Sequence, residues 1–232
     1  AQTQAPAPAQ PASQAQASAP EATLDKVVVT AKRENRVSKG ATNLPLEIKD
    51  QVRDRYGAEG LARVERWESL VWNHTYADTP EKLRVVNDFF NALTFDTDRN
   101  HWKQEDYWAT PFETLGSNGG DCEDFAIAKY FTLRQLGVPA NSMRITYVKA
   151  LKQNQPHMVL TYYPDGEEPL VLDILMREML PASARTDLVP VYSFNADGLW
   201  AARTRGEDHR LGNASDIGMW RDLQVRMGVA QF

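Results

Sequence analysis

The one cysteine of the chain, Cys122, stands in the run Gly119-Gly120-Asp121-Cys122-Glu123-Asp124, which leads directly into the apolar pattern from Phe125 onward. Asp121 is placed as a helix N-cap, so Cys122 becomes the first helical residue and Asp124 can supply the carboxylate of a capping box. A thiol at that position meets unpaired backbone N–H groups and the positive end of the helix dipole, both of which favour thiolate. The carboxylates of Asp121, Glu123 and Asp124 oppose it. A lone cysteine can be no more than a small buried hydrophobe. The residues before Phe125 are too hydrophilic for an inert core position, however, and a nucleophile is expected.

A cysteine nucleophile needs an imidazole to take its proton and a third group to orient the ring. Of the four histidines, His74 and His101 lie in polar text and His209 in the charged stretch from Arg205 to Arg210. His157 instead starts the strand-like run His157-Met158-Val159-Leu160. If Pro164-Asp165-Gly166 form a three-residue hairpin loop, Tyr163 faces Glu167 and the ladder sets His157 directly opposite Asp173. A loop one residue shorter or longer would send one of the two to the far face. Asp173 also interrupts the apolar run from Leu170 to Leu175, where a carboxylate needs a partner.

The elements that must position these groups follow from periodicity. Two helices are expected over 46–56 and 58–72, joined at Gly57, and a third is opened by Thr79 as N-cap with Pro80 and Glu81 following. Leu83, Val86, Phe89, Phe90 and Leu93 would face its core side. The Cys122 helix runs to Leu136 and stops at Gly137. Strands are expected over 143–151, 157–163, 170–175, 189–194 and 199–202, and Ser215 is placed as the cap of a terminal helix. Helices followed by antiparallel strands make an α+β fold, a helical first half packed on a sheet with the cysteine at a helix N-terminus.

Composition bounds the rest. The 232 residues carry a formal charge of −5 and are 42% hydrophobic, enough for one domain, expected over 41–232. No block of lysine and arginine supplies the field that nucleic-acid binding requires, so nucleic acid is not an expected partner. No run of about 18 apolar residues exists, which excludes a membrane-spanning helix in the sequence and leads to the expectation of a soluble protein. Residues 1–20 are eight Ala, five Gln, four Pro, two Ser and one Thr, a composition that cannot offset ordering entropy. Residues 1–40 are therefore read as a disordered leader and short basic linker, with 24–31 able to add a strand. The start at Ala1 without methionine suggests a trimmed leader and is compatible with export.

The run from Gly119 to Tyr130, the upstream Trp108-Ala109-Thr110-Pro111 with Glu113, and downstream Met143-Arg144, His157–Leu160 and Leu172-Asp173 together resemble the bacterial transglutaminase-like cysteine proteases of the LapG type, in the papain-like superfamily. The resemblance covers about residues 45–230. It implies Cys122 as nucleophile, His157 as general acid/base and Asp173 as orienting carboxylate. It also implies calcium, with Asp121 and Glu123 as ligands and Asp106 or the Tyr107 carbonyl completing the shell. A periplasmic enzyme is implied, one that clips the N-terminal region of a large secreted adhesin near an Ala-Ala bond. Its controlling partner would be a LapD-like inner-membrane receptor for cyclic-di-GMP.

Two other readings remain open at the level of sequence. One is acyl transfer to an amine, since transglutaminases share the order Cys, His, Asp. The other is a catalytically silent, calcium-responsive binding module.

Overall fold

The computed structural model describes residues 44–201 and 209–228. The expected leader, including the strand-prone run 24–31, lies outside the described residues.

The first half is helical. Helix α1 (Leu46–His74) is two helices joined at Gly57, whose φ of 72° and ψ of −175° lie outside helical space and suit a residue without a Cβ. The expected junction is thus present. Helix α2 (Thr79–Phe90) begins one residue earlier than expected: Asp78 is the cap, its Oδ1 accepting from the Glu81 N–H at 2.9 Å, and Thr79 is already helical. A shorter, charged acceptor outcompetes the threonine hydroxyl for the same orphan donor. Leu83, Val86 and Phe90 are buried, while Phe89 and Leu93 are partly buried against the core.

The stretch between α2 and the cysteine contains elements that periodicity did not show. Strand β1 (Thr94–Phe95), helix α3 (Asp98–His101), helix α4 (Pro111–Ser117) and strand β2 (Gly119–Gly120) follow one another, and β2 runs parallel to β1 with Thr94 beside Gly119. Helix α5 (Cys122–Gln135) is central. Phe125, Ala126, Ile127, Ala128, Tyr130 and Leu133 are buried around most of its circumference, so its apolar stripe is broad. It ends where Gly137 adopts φ 85°.

The second half is one antiparallel sheet of seven strands: β3 (Met143–Ala150), β4 (Gln155–Tyr162), β5 (Leu170–Leu172), β6 (Leu180–Pro181), β7 (Leu188–Asn195), β8 (Gly198–Ala201) and β9 (His209–Gly212), in the order β6-β5-β4-β3-β7-β8-β9. Its inner face packs on α5 through Met143, Ile145, Met158, Leu160, Leu172 and Phe194. Helix α6 (Gly218–Arg226) closes the aromatic end, with Trp220 set against Phe131 and Phe194. Ser215 is not its cap, because the chain makes a 3-10 turn over Ala214–Asp216 first and the helix follows Ile217. The architecture is the expected α+β arrangement.

The hairpin between β4 and β5 differs from expectation. Tyr162 pairs with Leu170, Thr161 with Val171 and Leu160 with Leu172, so the connection spans 163–169 instead of three residues. The ladder is displaced by two positions. Strand β5 also stops at Leu172, three residues short, where Asp173 turns to side-chain partners.

Candidate active site

The cysteine is delivered by glycines that admit no side chain. A Cβ on Gly119 would stand 2.0 Å from the Thr94 carbonyl oxygen, and one on Gly120 would stand 2.0 Å from Asp124 Oδ2. The parallel pairing with β1 and the close packing of Asp124 therefore require both glycines. Asp124 is fully buried and holds three donors: the Ala109 N–H at 2.7 Å, the Trp102 indole N–H at 3.0 Å and the Asp121 N–H at 3.3 Å. It fastens the helix start to the preceding loop, the N3 role expected of it.

Cys122 is partly buried at the first position of α5, and its thiol donates to Glu123 Oε2 at 3.0 Å. Burial first, then the charges of Glu123 and Asp121, push the thiol well above its ordinary range; a backbone hydrogen bond from Met158 acts in the opposite direction. That bond brings the sulfur to the residue that follows His157. Burial and the carboxylate charges thus outweigh the helix start and favour the protonated thiol.

His157 is 3% exposed and pairs with Val148 of β3, where β7 slips by one residue past β3. Its Nε2 lies 2.7 Å from Asp173 Oδ1. The structure therefore brings His157 and Asp173 together although they are not cross-strand partners. Asp173 also accepts the Leu175 N–H at 3.0 Å and the Arg185 guanidinium at 2.7 Å, while Asn91 Nδ2 holds its main-chain carbonyl at 2.8 Å. Burial alone would raise its carboxyl, but the hydrogen bond and charge of His157, the Leu175 N–H and Arg185 outweigh it and hold the group at about 2. Of the remaining histidines, His74 bonds Leu70 O, His101 bonds Ser117 Oγ and His209 is exposed.

A second cluster abuts the thiol. Ligand-capable oxygens of Asp98, Asp106 and Glu123 lie within 4.8 Å of one another, and those of Asp98, Asp121 and Asp124 do likewise. Asp121, Glu123 and Asp106 were expected here; Asp98 was not. Asp98 Oδ2 accepts the Tyr107 N–H at 2.6 Å, whereas its Oδ1 and Asp121 Oδ1 are buried without a hydrogen-bond partner among the described residues. Burial, with the neighbouring acids Asp121 and Asp106, pushes Asp98 up to about 7 despite the Tyr107 N–H. Burial and Asp121 push Glu123 up to about 9. Crowded carboxylate oxygens fit a hard divalent cation of the calcium kind, and the Cys122 sulfur borders them, within 4.8 Å of the Asp121 and Glu123 oxygens.

Arg185 and Asn91 carry no signal in the sequence. Asp98 opens the four-residue helix α3 and Arg185 sits in a polar turn, and nothing local marks either as buried. The acidic spacing Asp96, Asp98, Glu105, Asp106 ahead of the cysteine is the signal that could have found Asp98; calcium itself was expected only from the family resemblance.

The profile of the family described as bacterial transglutaminase-like cysteine proteinase matches residues 61–200. Among solved structures, LapG of Legionella pneumophila in its EGTA-treated form is 43% identical with a TM-score of 0.69, the match covering 79% of this chain and 98% of that one. Calcium-bound LapG of the same organism is 44% identical with a TM-score of 0.67, covering 79% and 99%. Comparison with curated proteins gives no match.

Proposed function

Because the chain belongs to the bacterial transglutaminase-like cysteine proteinase family, we propose that it is a calcium-dependent periplasmic endopeptidase that cuts the N-terminal region of a large secreted adhesin near an Ala-Ala bond, releasing the adhesin from the cell surface. The observation that carries the reading is that β4 reaches both partners, its Met158 backbone bonding the thiol at the start of α5 and its His157 held by Asp173 at 2.7 Å.

With Nε2 of His157 occupied by Asp173, Nδ1 is the nitrogen that takes the thiol proton. The sulfur then attacks the peptide carbonyl carbon, forming a C–S bond and placing the carbonyl electron pair on oxygen. Backbone N–H groups at the start of α5 face that oxyanion, a contribution on the order of 3 kcal/mol. Collapse breaks the C–N bond, and the departing amine takes the proton from the imidazolium. Water then attacks the thioester while His157 accepts its proton, releasing the carboxylate and restoring the thiol. Asp173 stays ionised throughout, which keeps the ring in one tautomer.

Asp98, Asp106, Asp121 and Glu123 would hold the calcium ion. When bound, the ion offsets the carboxylate charge that otherwise disfavours thiolate. A LapD-like receptor that sequesters the enzyme in response to cyclic-di-GMP completes the reading, supported by the likeness to LapG.

The test is cleavage of a recombinant N-terminal adhesin fragment, with and without calcium and chelator. Cutting by the native chain with calcium is expected, and none by Cys122→Ala. Persistent cutting by the alanine variant would remove Cys122 as nucleophile, and cutting unaffected by chelator would remove the calcium requirement.

A further inference from the structure

Asp173 is not the last member of the hydrogen-bonded chain that starts at His157. Its second oxygen, Oδ2, accepts from Arg185 Nη2 at 2.7 Å. Arg185 is gripped in turn by Asp187, Nε to Oδ1 at 3.0 Å and Nη2 to Oδ2 at 2.9 Å. Arg185 is 4% exposed, and its Nη1 is buried with no acceptor among the described residues. Burial of a guanidinium is costly, and a well-placed stabilising residue would not leave one of its donors orphaned. The geometry sacrifices Nη1 and keeps Nη2 on Asp173.

The anchor comes from a separate part of the chain. Arg185 and Asp187 lie in the turn before β7, tied by Arg185 N to Ala182 O at 3.1 Å and by Leu151 N at the end of β3 to Asp187 O at 2.8 Å. A carboxylate beyond the end of β5 has two free torsions and could rotate off the imidazole plane. With Oδ1 fixed by the Leu175 N–H and Oδ2 by Arg185, the plane of the carboxylate is fixed, and so is the ring it holds.

We propose that Arg185 is a positioning residue of the catalytic site, acting through Asp173 and itself oriented by Asp187. This rests on the protease reading above. It predicts a defect in kcat and not in KM, because Arg185, 4% exposed, offers almost no surface to a bound peptide, and it predicts that the defect disappears when Asp173 has no carboxylate to orient.

The experiment is a double-mutant cycle on the full chain with calcium, reading kcat and KM for the adhesin fragment and Tm as a control on folding. Arg185→Gln is expected to lower kcat about tenfold or more with KM within about twofold, in line with the cost of misplacing a catalytic group. The same substitution on Asp173→Ala should change kcat by less than about twofold. Arg185→Lys should restore part of the loss, since an ammonium can reach Oδ2 without reproducing the two-point grip on Asp187. Should Arg185→Gln not fold, Asp187→Asn, which leaves the guanidinium in place but loosens its anchor, carries the same cycle with a smaller kcat loss. Equal kcat in variant and native chain, or losses that simply add to that of Asp173→Ala, would overturn the assignment.

Alkylation of Cys122 by iodoacetamide reads the coupling without any peptide, and Arg185→Gln should slow it. A native chain that alkylates quickly but leaves the fragment uncut therefore counts against the adhesin reading, whereas alkylation indifferent to Arg185→Gln counts against Arg185.

Discussion

The Nε2 of His157 and Oδ1 of Asp173 are 2.7 Å apart, yet the ladder that joins β4 to β5 would set Val159, not His157, opposite Asp173. The two are diagonal neighbours, with Cβ atoms on the order of 7–8 Å apart by general sheet geometry, a gap that an imidazole and a carboxylate close between them. Because β5 ends at Leu172, Asp173 is free of ladder constraints and is aimed instead by Asn91, Leu175 and Arg185.

The depressed carboxyl of Asp173 makes an acid-stability prediction. Between about 2 and its ordinary 3.8 the folded chain binds fewer protons at this group than the unfolded chain, so stability rises with pH across that window and is lost as pH falls through it. The contribution is on the order of 2 kcal/mol. Urea unfolding of the native chain and Asp173→Asn at several pH values should show a difference that shrinks from pH 4 to pH 2. A difference independent of pH would show that Asp173 titrates normally.

Lys129 gives a slope of the same sign in a separate window at higher pH. It is 1% exposed on α5, donates to Asn87 Oδ1 at 2.9 Å and is pushed down to about 7 by burial, against the charge of Asp173. The unfolded chain, with lysine near 10.5, holds more protons than the folded chain between those values, so stability should rise with pH from about 7 toward 10. Lys129→Met should flatten that rise and add on the order of 3 kcal/mol at pH 6, after the lost bond to Asn87 is deducted. Chemical denaturation at pH 6, 8 and 9.5 reads it; a native chain equally stable at all three would contradict the depressed lysine.

Asp98→Asn should weaken calcium binding at least tenfold in calorimetric titration, since it removes a buried carboxylate whose Oδ1 has no hydrogen-bond partner among the described residues. Calcium at a hundred times its Kd should raise the stability of the native chain by about 2.7 kcal/mol. At the same calcium concentration the stabilisation of Asp98→Asn should therefore be about half that of the native chain or less, about 1.4 kcal/mol for a tenfold weaker site, and an unchanged response in Tm would remove Asp98 from the ligand set.

Gly119→Ala should destabilise by about 2 kcal/mol or more, because the new methyl meets the fixed Thr94 carbonyl and not a movable side chain. Gly137→Ala is the control: nothing lies within 4 Å of its Cβ position, and only the left-handed φ of 85° is strained. Its loss in Tm should be smaller, and the reverse order would show that β2 can move away from β1.

Much of the site was legible because its signals are short-range. Asp121, Cys122 and Asp124 follow from cap chemistry over four residues, and the end of α5 from Gly137. The pairing of His157 with Asp173 was legible for a subtler reason. The hairpin loop is longer than expected, but the slip is two residues, and an even slip in a structure of period two keeps both side chains on the same face.

Sequence by itself thus determined the place of Cys122 at the start of its helix, the α+β order and the pairing of His157 with Asp173, all set by local backbone rules and the alternation of strands. The tertiary structure alone decided that Arg185 and Asn91 clamp Asp173, that Asp98 joins the acids beside Cys122, and that Thr94 requires Gly119. These contacts join segments up to 82 residues apart. Many arginines, asparagines and aspartates in the chain are chemically equivalent candidates for them, and only the closure of the whole core selects which one arrives.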